Sequence, residues 1–139
     1  MGNNLKRFIT AQERDYELAL EEIKRGRKQS HWMWYIFPQL KGLGHSATAE
    51  FYGIAGKEEA LEYLNNYYLR NNLIRITKIL YNLDDDITNI LGYPDDLKLK
   101  SCMTLFNYVD PNIQIFQKVL DKFYDGEKDQ ITLNLIEKN

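Results

Sequence analysis

The sequence has little of what marks secreted, membrane-spanning or nucleic-acid-binding proteins. It contains a single cysteine, Cys102, which excludes an internal disulfide and indicates a reducing compartment. No run approaches the roughly 18 apolar residues of a membrane span, and the first residues carry no apolar stretch of signal-peptide length. Eighteen basic and twenty acidic residues give no overall attraction to nucleic acid. We therefore expect a cytoplasmic protein without membrane association, and we expect no nucleic-acid partner.

Proline and histidine are also scarce. Three prolines in 139 residues leave long stretches free for helix, and no segment alternates between apolar and polar residues as a strand would. The sequence predicts an all-α protein, a single compact multihelical domain over residues 1–139, with about six to eight helices and one irregular aromatic-rich segment. The two histidines, His31 and His45, have no close acidic or thiol partner, so we predict no metal site and no cofactor.

Helix boundaries follow from capping signals and apolar spacing. Thr10–Glu13 fits a capping box that should begin the first helix, and Gly26 should end that helix. Ser46 can cap a short helix, while Pro94 and Pro111 each stand where a first helical turn would favour proline. Apolar residues at helical spacing then predict further helices, at about residues 46–54, 57–66, 69–83, 84–92, 94–106, 111–126 and 129–138.

One stretch, which we call the aromatic segment, is Ser30–Ala47, with the sequence SHWMWYIFPQLKGLGHSA. It holds both tryptophans and both histidines, and the basic run Lys24–Lys28 comes shortly before it. Cations and backbone amides at a helix N-terminus bind anions, and tryptophan faces stack on nucleobases. These features are typical of a nucleotide pocket. The alternative is that Trp32 and Phe37 belong to the core and that the cations form a solvated helix end.

Both interpretations can hold if some side chains of the segment enter the core and others face a cleft. In an extended stretch successive side chains point to opposite sides, which would direct Trp32 and Phe37 into the core. If the stretch is helical instead, Trp32 and Tyr35 share one face and this assignment weakens. The residues expected to face or close a cleft on the other side are His31, Trp34, Gln39, Gly42 and Gly44.

A second candidate region is Pro94–Phe106, with the sequence PDDLKLKSCMTLF. Its acidic and basic residues stand three and four positions apart, a spacing that local ion pairs on a helix would explain. Its polar residues could instead face a cavity, and we predict that this helix lies against the aromatic segment. Cys102 is not expected to act as a nucleophile, because a thiol buried on a helix is inert.

Four phrases resemble an uncharacterised bacterial family, domain of unknown function 1810: SHWMWYIFPQLKGLGHSATAEFYGI, EEALEYL, GYPDDLKLKSCMTLF and FQKVLDKFYDGEKDQITLNLI. The resemblance covers nearly the whole chain and implies a single multihelical domain, but it supplies no established activity. Cys102 stands where the family suggests a serine, and Lys100 where it suggests an arginine. A fainter likeness, in EALEYLNNYYLRNNL followed by PDD, is to helical enzymes that act on ADP-ribose and related N-glycosides. It implies a pocket for a ribosylated, phosphorylated compound.

Two hypotheses about function follow. In the first, the protein is an enzyme or sensor for a nucleotide-like or ADP-ribose-related small molecule, and an N-glycosidase would use Asp95 or Asp96 at the reacting centre and His31 for proton transfer. In the second, it is a non-enzymatic protein–protein adaptor whose interface is the aromatic segment. The oligomeric state is not predicted. The residues expected to bind the ligand are Arg27, Trp32, Trp34, Phe37, Gln39, Lys41, Gly42, Gly44, His45, Ser46, Lys98, Lys100, Ser101 and Thr104.

Overall fold

The computed structural model describes residues 2–138, with side chains from residue 4 onward, and this part of the chain is all-α. A 3₁₀ turn, Gly2–Leu5, precedes nine helices. In place of strands, these residues form one isolated parallel bridge, between Leu40 and Ile54. The helices are α1 (Lys6–Lys24), α2 (Met33–Ile36), α3 (Ala47–Tyr52), α4 (Lys57–Asn65), α5 (Tyr67–Tyr81), α6 (Ile87–Leu91), α7 (Asp95–Val109), α8 (Gln114–Tyr124) and α9 (Gln130–Lys138).

Helix α7 lies at the centre of the fold. It packs against α4, α6, α8 and α9, and its residues 101–107 are all buried. A helix enclosed on every side must be apolar around most of its circumference. Leu99, Met103 and Phe106, which stand at helical spacing along α7, are fully buried. The few polar side chains in this stretch are therefore enclosed as well, and each of them requires a partner.

The remaining long helices complete one core. Helix α1 packs against α5 and α2, and α5 packs in turn against α4 and α8. Apolar residues at helical spacing on α1 and α5 are buried, which confirms the helices that this spacing predicted: Phe8, Tyr16, Ala19, Leu20 and Ile23 on α1, and Leu69, Leu73, Ile76 and Leu80 on α5. None of the helices in residues 2–138 combines the length and the apolar content that a membrane crossing requires.

Three details differ from the predictions. Helix α1 begins at Lys6 rather than at Thr10, because buried Leu5 and Phe8 extend the helix towards the N-terminus and override the capping signal. Helix α8 begins at Gln114, after a turn in which the Asn112 N–H donates to the Asp110 carboxylate at 3.2 Å. The helix beyond the predicted range of six to eight is α2, a single turn inside the aromatic segment.

The start of the aromatic segment is held by Glu22, a carboxylate that is 4% exposed. Its oxygens accept hydrogen bonds from the Gln29 N–H at 2.8 Å, the Ser30 N–H at 3.0 Å and the Trp32 indole Nε1–H at 2.9 Å. The Ser30 hydroxyl donates to the same carboxylate. Burial by itself opposes ionisation, but these donors outweigh it and lower the pKa of Glu22 from 4.5 to about 2.

Replacing Glu22 by glutamine should therefore destabilise the protein. We expect Glu22→Gln to lose roughly 2–4 kcal/mol of unfolding free energy at pH 7, because buried N–H donors lose a charged acceptor. Because the pKa is lower in the folded state, this contribution is fully present above pH 4.5 and declines as the pH falls towards 2. Urea denaturation at pH 7 and at pH 3 measures both effects.

The control for this experiment is Glu21→Gln, which changes the neighbouring, exposed carboxylate on the same helix. It should leave the unfolding free energy unchanged at both pH values. If Glu22→Gln proves as stable as Glu21→Gln at pH 7, the carboxylate does not hold the segment.

Candidate functional site

The two tryptophans of the aromatic segment lie in different environments. Trp32 is 1% exposed, and its ring packs against the buried Phe37 with 6.2 Å between centroids. The residues that follow Trp32 form α2, in which Met33, Tyr35 and Ile36 are buried. The alternation expected for an extended stretch is therefore wrong. The division survives for another reason. Within α2, residues two positions apart, such as Trp34 and the buried Ile36, point about 200° apart, which turns the half-buried Trp34 away from the core.

Trp34 forms one wall of a cleft of about 440 Å³. The cleft lies between the aromatic segment, the first half of α7 and the start of α9, so the predicted contact between the aromatic segment and the Pro94–Phe106 helix is confirmed. Its lining is mainly apolar and includes a few polar groups, as is usual for small-molecule sites. The lining residues are Trp34, Gln39, Leu43, Gly44, Pro94, Leu97, Lys98, Lys100, Ser101, Asp129 and Ile131.

The indole of Trp34 is fixed from two sides. A Cβ atom on Gly44 would lie 2.7 Å from Trp34 Cη2 and 2.8 Å from Ala49 Cβ, so only glycine allows this close approach. The ammonium group of Lys98 lies 4.5 Å from the centroid of the Trp34 ring, at the distance of a cation–π contact. The ring therefore has a defined place in the wall of the cleft.

Gln39 contributes a buried amide to the same cleft. Its backbone is held by the bridge to Ile54, whose N–H donates to the Gln39 carbonyl oxygen at 2.8 Å. The residue is 3% exposed, yet its side-chain Nε2 has no hydrogen-bond partner among the residues that the structure describes. Buried amide donors are normally paired, and leaving one unpaired costs roughly 1–3 kcal/mol. This atom offers an unused donor in a lining that is otherwise mostly apolar.

A chain of charges links the cleft to the end of α1. The carboxylate of Asp95 accepts from Lys28 Nζ at 2.7 Å and from Lys98 Nζ at 3.0 Å. Lys28 lies 5.0 Å from the centroid of the Trp32 ring, just as Lys98 lies over Trp34. Partial burial opposes ionisation of Asp95, but the two lysines outweigh it and hold the pKa of this carboxyl below its usual value.

Asp129 attaches α9 to α7 at the edge of the cleft. One oxygen of its carboxylate accepts from the Ser101 hydroxyl at 3.2 Å and from the Thr132 N–H at 3.0 Å, which caps α9. The backbone N–H of Asp129 donates to the hydroxyl of Thr104 at 2.9 Å. The polar side chains of α7 thus meet partners on α9, and this contact brings Ile131 to the rim of the cleft.

Comparisons with known proteins place the chain in a family. The family model "Protein of unknown function (DUF1810)" matches residues 2–136. The chain belongs to this family. The crystal structure of the conserved hypothetical protein Rv1873 from Mycobacterium tuberculosis, at 1.38 Å, is similar over 96% of both chains, with 44% sequence identity and a TM-score of 0.94. Among curated proteins, none matches the chain. The resemblance to domain of unknown function 1810 is confirmed, whereas the fainter likeness to ADP-ribose enzymes finds no support.

In this DUF1810 protein, some of the predicted ligand-binding residues lie elsewhere. Trp32, Phe37 and Thr104 are buried in the core and do not line the cleft, and their role as ligand contacts stays a prediction. A further set is exposed to solvent and does not line the cleft. Arg27 lies in the connection between α1 and α2, the others lie in the loop after Leu40, and Ser46 caps α3. This set is Arg27, Lys41, Gly42, His45 and Ser46.

The three predicted catalytic residues do not line the cleft of this DUF1810 protein. His31 is exposed. Asp95 is shared between two lysines, and the buried Asp96 accepts from the Thr88 hydroxyl at 2.7 Å and from the Leu97 N–H at 2.9 Å. Both carboxylates therefore already have structural partners, and a catalytic role for these residues stays a prediction.

Several residues of the cleft were not predicted. Leu43, Leu97 and Ile131 are apolar residues that the sequence analysis assigned to no site. Asp129 was expected only near the start of the last helix. The sequence indicates Asp129 only as a helix cap. Its contact with α7 joins residues that are far apart in the sequence, so no local pattern predicts it. The predicted participants Gln39, Gly44, Lys98, Lys100 and Ser101 do line the cleft with Trp34.

Two further kinds of chemistry can be assessed among the described residues. Within residues 4–138, no group of three or more histidine, cysteine, aspartate or glutamate side chains is arranged to hold a metal ion. Cys102 is fully buried, and burial raises the pKa of its thiol well above the usual value. The thiol is therefore protonated and unreactive at neutral pH, as the sequence predicted.

The division of the tryptophans predicts different stabilities for two variants. Trp32→Ala should lose roughly 3–5 kcal/mol of unfolding free energy, the usual cost of truncating a buried large aromatic residue. Trp34→Ala should lose less than about half as much, because its ring is only half-buried and lies in the wall of the cleft. Urea denaturation of both variants compares the two costs directly. Equal losses would show that both rings are structural.

Proposed function

We propose that this protein binds a small molecule that carries a planar ring and a hydrogen-bond acceptor, such as a nucleotide-like compound, in the cleft beside Trp34. The observation that carries this proposal is the buried amide nitrogen of Gln39, a residue of the cleft lining, which has no hydrogen-bond partner in the described part of the chain. A ligand carbonyl or ring nitrogen would accept from this donor and remove the cost of leaving it unpaired. Nucleobases combine such acceptors with a flat ring.

The size and the surface of the cleft are consistent with such a ligand. Its volume of about 440 Å³ lies within the range of small-molecule sites. Trp34 offers an aromatic surface for stacking, while Leu43, Leu97 and Ile131 supply apolar area around it. A stacked base on an aromatic side chain contributes about 1–3 kcal/mol.

We propose binding rather than hydrolysis as the first function. Cleavage of an N-glycoside requires a carboxylate or another polar group placed against the reacting carbon. Asp95 and Asp96 are held by other partners, and the carboxylate of Asp129 is engaged by Ser101 and Thr132. The arrangement therefore favours a binding or sensing role over an N-glycosidase.

An adaptor is the second candidate, because apolar side chains are exposed at the rim of the cleft. Leu97 is 49% exposed and Ile131 is 60% exposed, and exposed apolar patches often mark protein interfaces. Of the aromatic segment, which the adaptor hypothesis takes as the interface, Trp32 and Phe37 are buried. A protein partner would cover the rim and would not depend on the amide of Gln39, which separates the two functions experimentally.

A thermal-shift screen with nucleosides, nucleotides, NAD and ADP-ribose tests the proposal. A compound that binds the native state raises the melting temperature by mass action. Gln39→Met, which removes the amide at similar length, should abolish this ligand-dependent rise while increasing the stability of the free protein by about 1 kcal/mol. Trp34→Ala should also abolish the rise.

The matched control is Thr77→Val. Thr77 in α5 is fully buried, and its hydroxyl is the other buried side-chain group without a partner in the described part of the chain. This variant should change the stability of the free protein but leave the ligand response intact. Two results would contradict the proposal: no melting-temperature rise with any compound of the screen, or an undiminished rise in Gln39→Met.

A further inference from the structure

We propose that the cleft contains an anion subsite at Lys98, so that its ligand carries a carboxylate or a phosphate group. The inference rests on the proposed function in that it assigns a charge class to the ligand of the same cleft. It starts from the ion pairs that join Lys28, Asp95 and Lys98, which we call the lysine–aspartate triad.

The triad has an excess of positive charge. Two lysines share one carboxylate, which leaves one positive charge without a counter-charge among the ion pairs of the described residues. The three side chains are 8%, 17% and 24% exposed, so water compensates this charge only in part. Charges that are partly removed from water require a partner of the opposite sign. Lys98, the most exposed member, is also the one that lines the cleft.

The ammonium group of Lys98 is held in place before any ligand arrives. Asp95 binds it at 3.0 Å, and the ring of Trp34 lies 4.5 Å away on another side. A cation held by its surroundings loses little conformational entropy when an anion binds it. The fixed position therefore favours anion recognition over the alternative of a mobile surface lysine.

A second donor in the lining completes the subsite. The amide nitrogen of Gln39 is buried and lacks a partner among the described residues, and Gln39 lines the same cleft as Lys98. Carboxylate and phosphate groups accept several hydrogen bonds at once, and bonds to ionised groups are stronger than neutral ones. An amide nitrogen carries two N–H donors, so Gln39 can donate to a ring acceptor and also, beside the charged donor Lys98, to an anionic group.

The other cation of the cleft provides the comparison. Lys100 also lines the cleft, but its ammonium group lies 3.5 Å from Glu127, whose side chain is 75% exposed. It forms no ion pair with the triad among the described residues. Lys100 therefore has a counter-charge of its own, Glu127. Replacing Lys100 changes the total charge of the lining without removing the cation of the triad.

Inorganic phosphate is the probe for this subsite. Because the protein has two tryptophans, its indole N–H groups give two side-chain signals in a ¹H–¹⁵N spectrum. A phosphate titration at constant ionic strength should shift the Trp34 signal saturably and leave the Trp32 signal in place. Lys98→Gln should weaken this binding at least about tenfold, the effect of losing a charge-assisted hydrogen bond. Lys100→Gln should weaken it by no more than about threefold, a screened charge effect.

Asp95→Asn should change the affinity for phosphate in the opposite direction. It removes the carboxylate that competes for Lys98, so phosphate should bind several-fold more tightly, whereas a purely structural role of Asp95 would leave the affinity unchanged or weaken it. If this variant does not fold, the comparison of Lys98→Gln with Lys100→Gln decides alone. The inference is overturned if phosphate causes no saturable shift of the Trp34 signal, or if Lys98→Gln binds phosphate as the unmodified protein does.

The outcomes separate this inference from the proposed function. Uncharged nucleosides probe the ring and the acceptor without an anion, and phosphate probes the anion without a ring. Stabilisation by nucleosides together with no phosphate response would leave the proposed function standing and overturn the anion subsite. Saturable phosphate binding without a response to any ring compound would support the subsite and contradict the proposed function.

Discussion

The arrangement of this protein's cleft depends on one buried carboxylate. Glu22, near the end of α1, accepts hydrogen bonds from Gln29, Ser30 and Trp32, and so fixes the chain where it leaves the basic run and starts the aromatic segment. A carboxylate that is removed from water is stable only when such donors surround it. Because Trp32 is anchored in this way, the turn α2 begins directly after it, and helical geometry turns Trp34 towards the cleft.

A second set of contacts connects the aromatic segment to the central helix, α7. Lys28 lies over Trp32, Lys98 lies over Trp34, and the carboxylate of Asp95 joins the two ammonium groups. The two tryptophans therefore have related surroundings but different exposure, one enclosed in the core and the other in the wall of the cleft. This arrangement gives a physical reason for two tryptophans so close in sequence. Each ring lies beside one cation of the triad, and Trp34 also lines the cleft.

Local signals in the sequence account for most of the fold. Apolar spacing placed the core faces of α1, α5 and α7, and Ser46 was recognised as the cap of α3. The site was predicted less completely, because its assembly depends on contacts between distant residues. Nothing near Glu22 in the sequence shows that it will be buried, and nothing near Asp129 shows that α9 will meet Ser101. The sequence predicted Trp32 in the core and Trp34 at the cleft on the basis of an extended geometry, which the chain does not adopt. The helical turn α2 produces the same placement.

Hydrogen exchange of the two indole N–H groups tests the central claim, that Glu22 anchors Trp32 while Trp34 is left for the cleft. The Trp32 Nε1–H donates to Glu22 inside the core, so the account predicts that it exchanges only through unfolding, orders of magnitude more slowly than an exposed indole. The half-buried Trp34 should exchange rapidly in the free protein, and Glu22→Gln should accelerate the exchange of Trp32 alone. Equal protection of the two groups, or a Trp32 rate that Glu22→Gln does not change, would contradict the account.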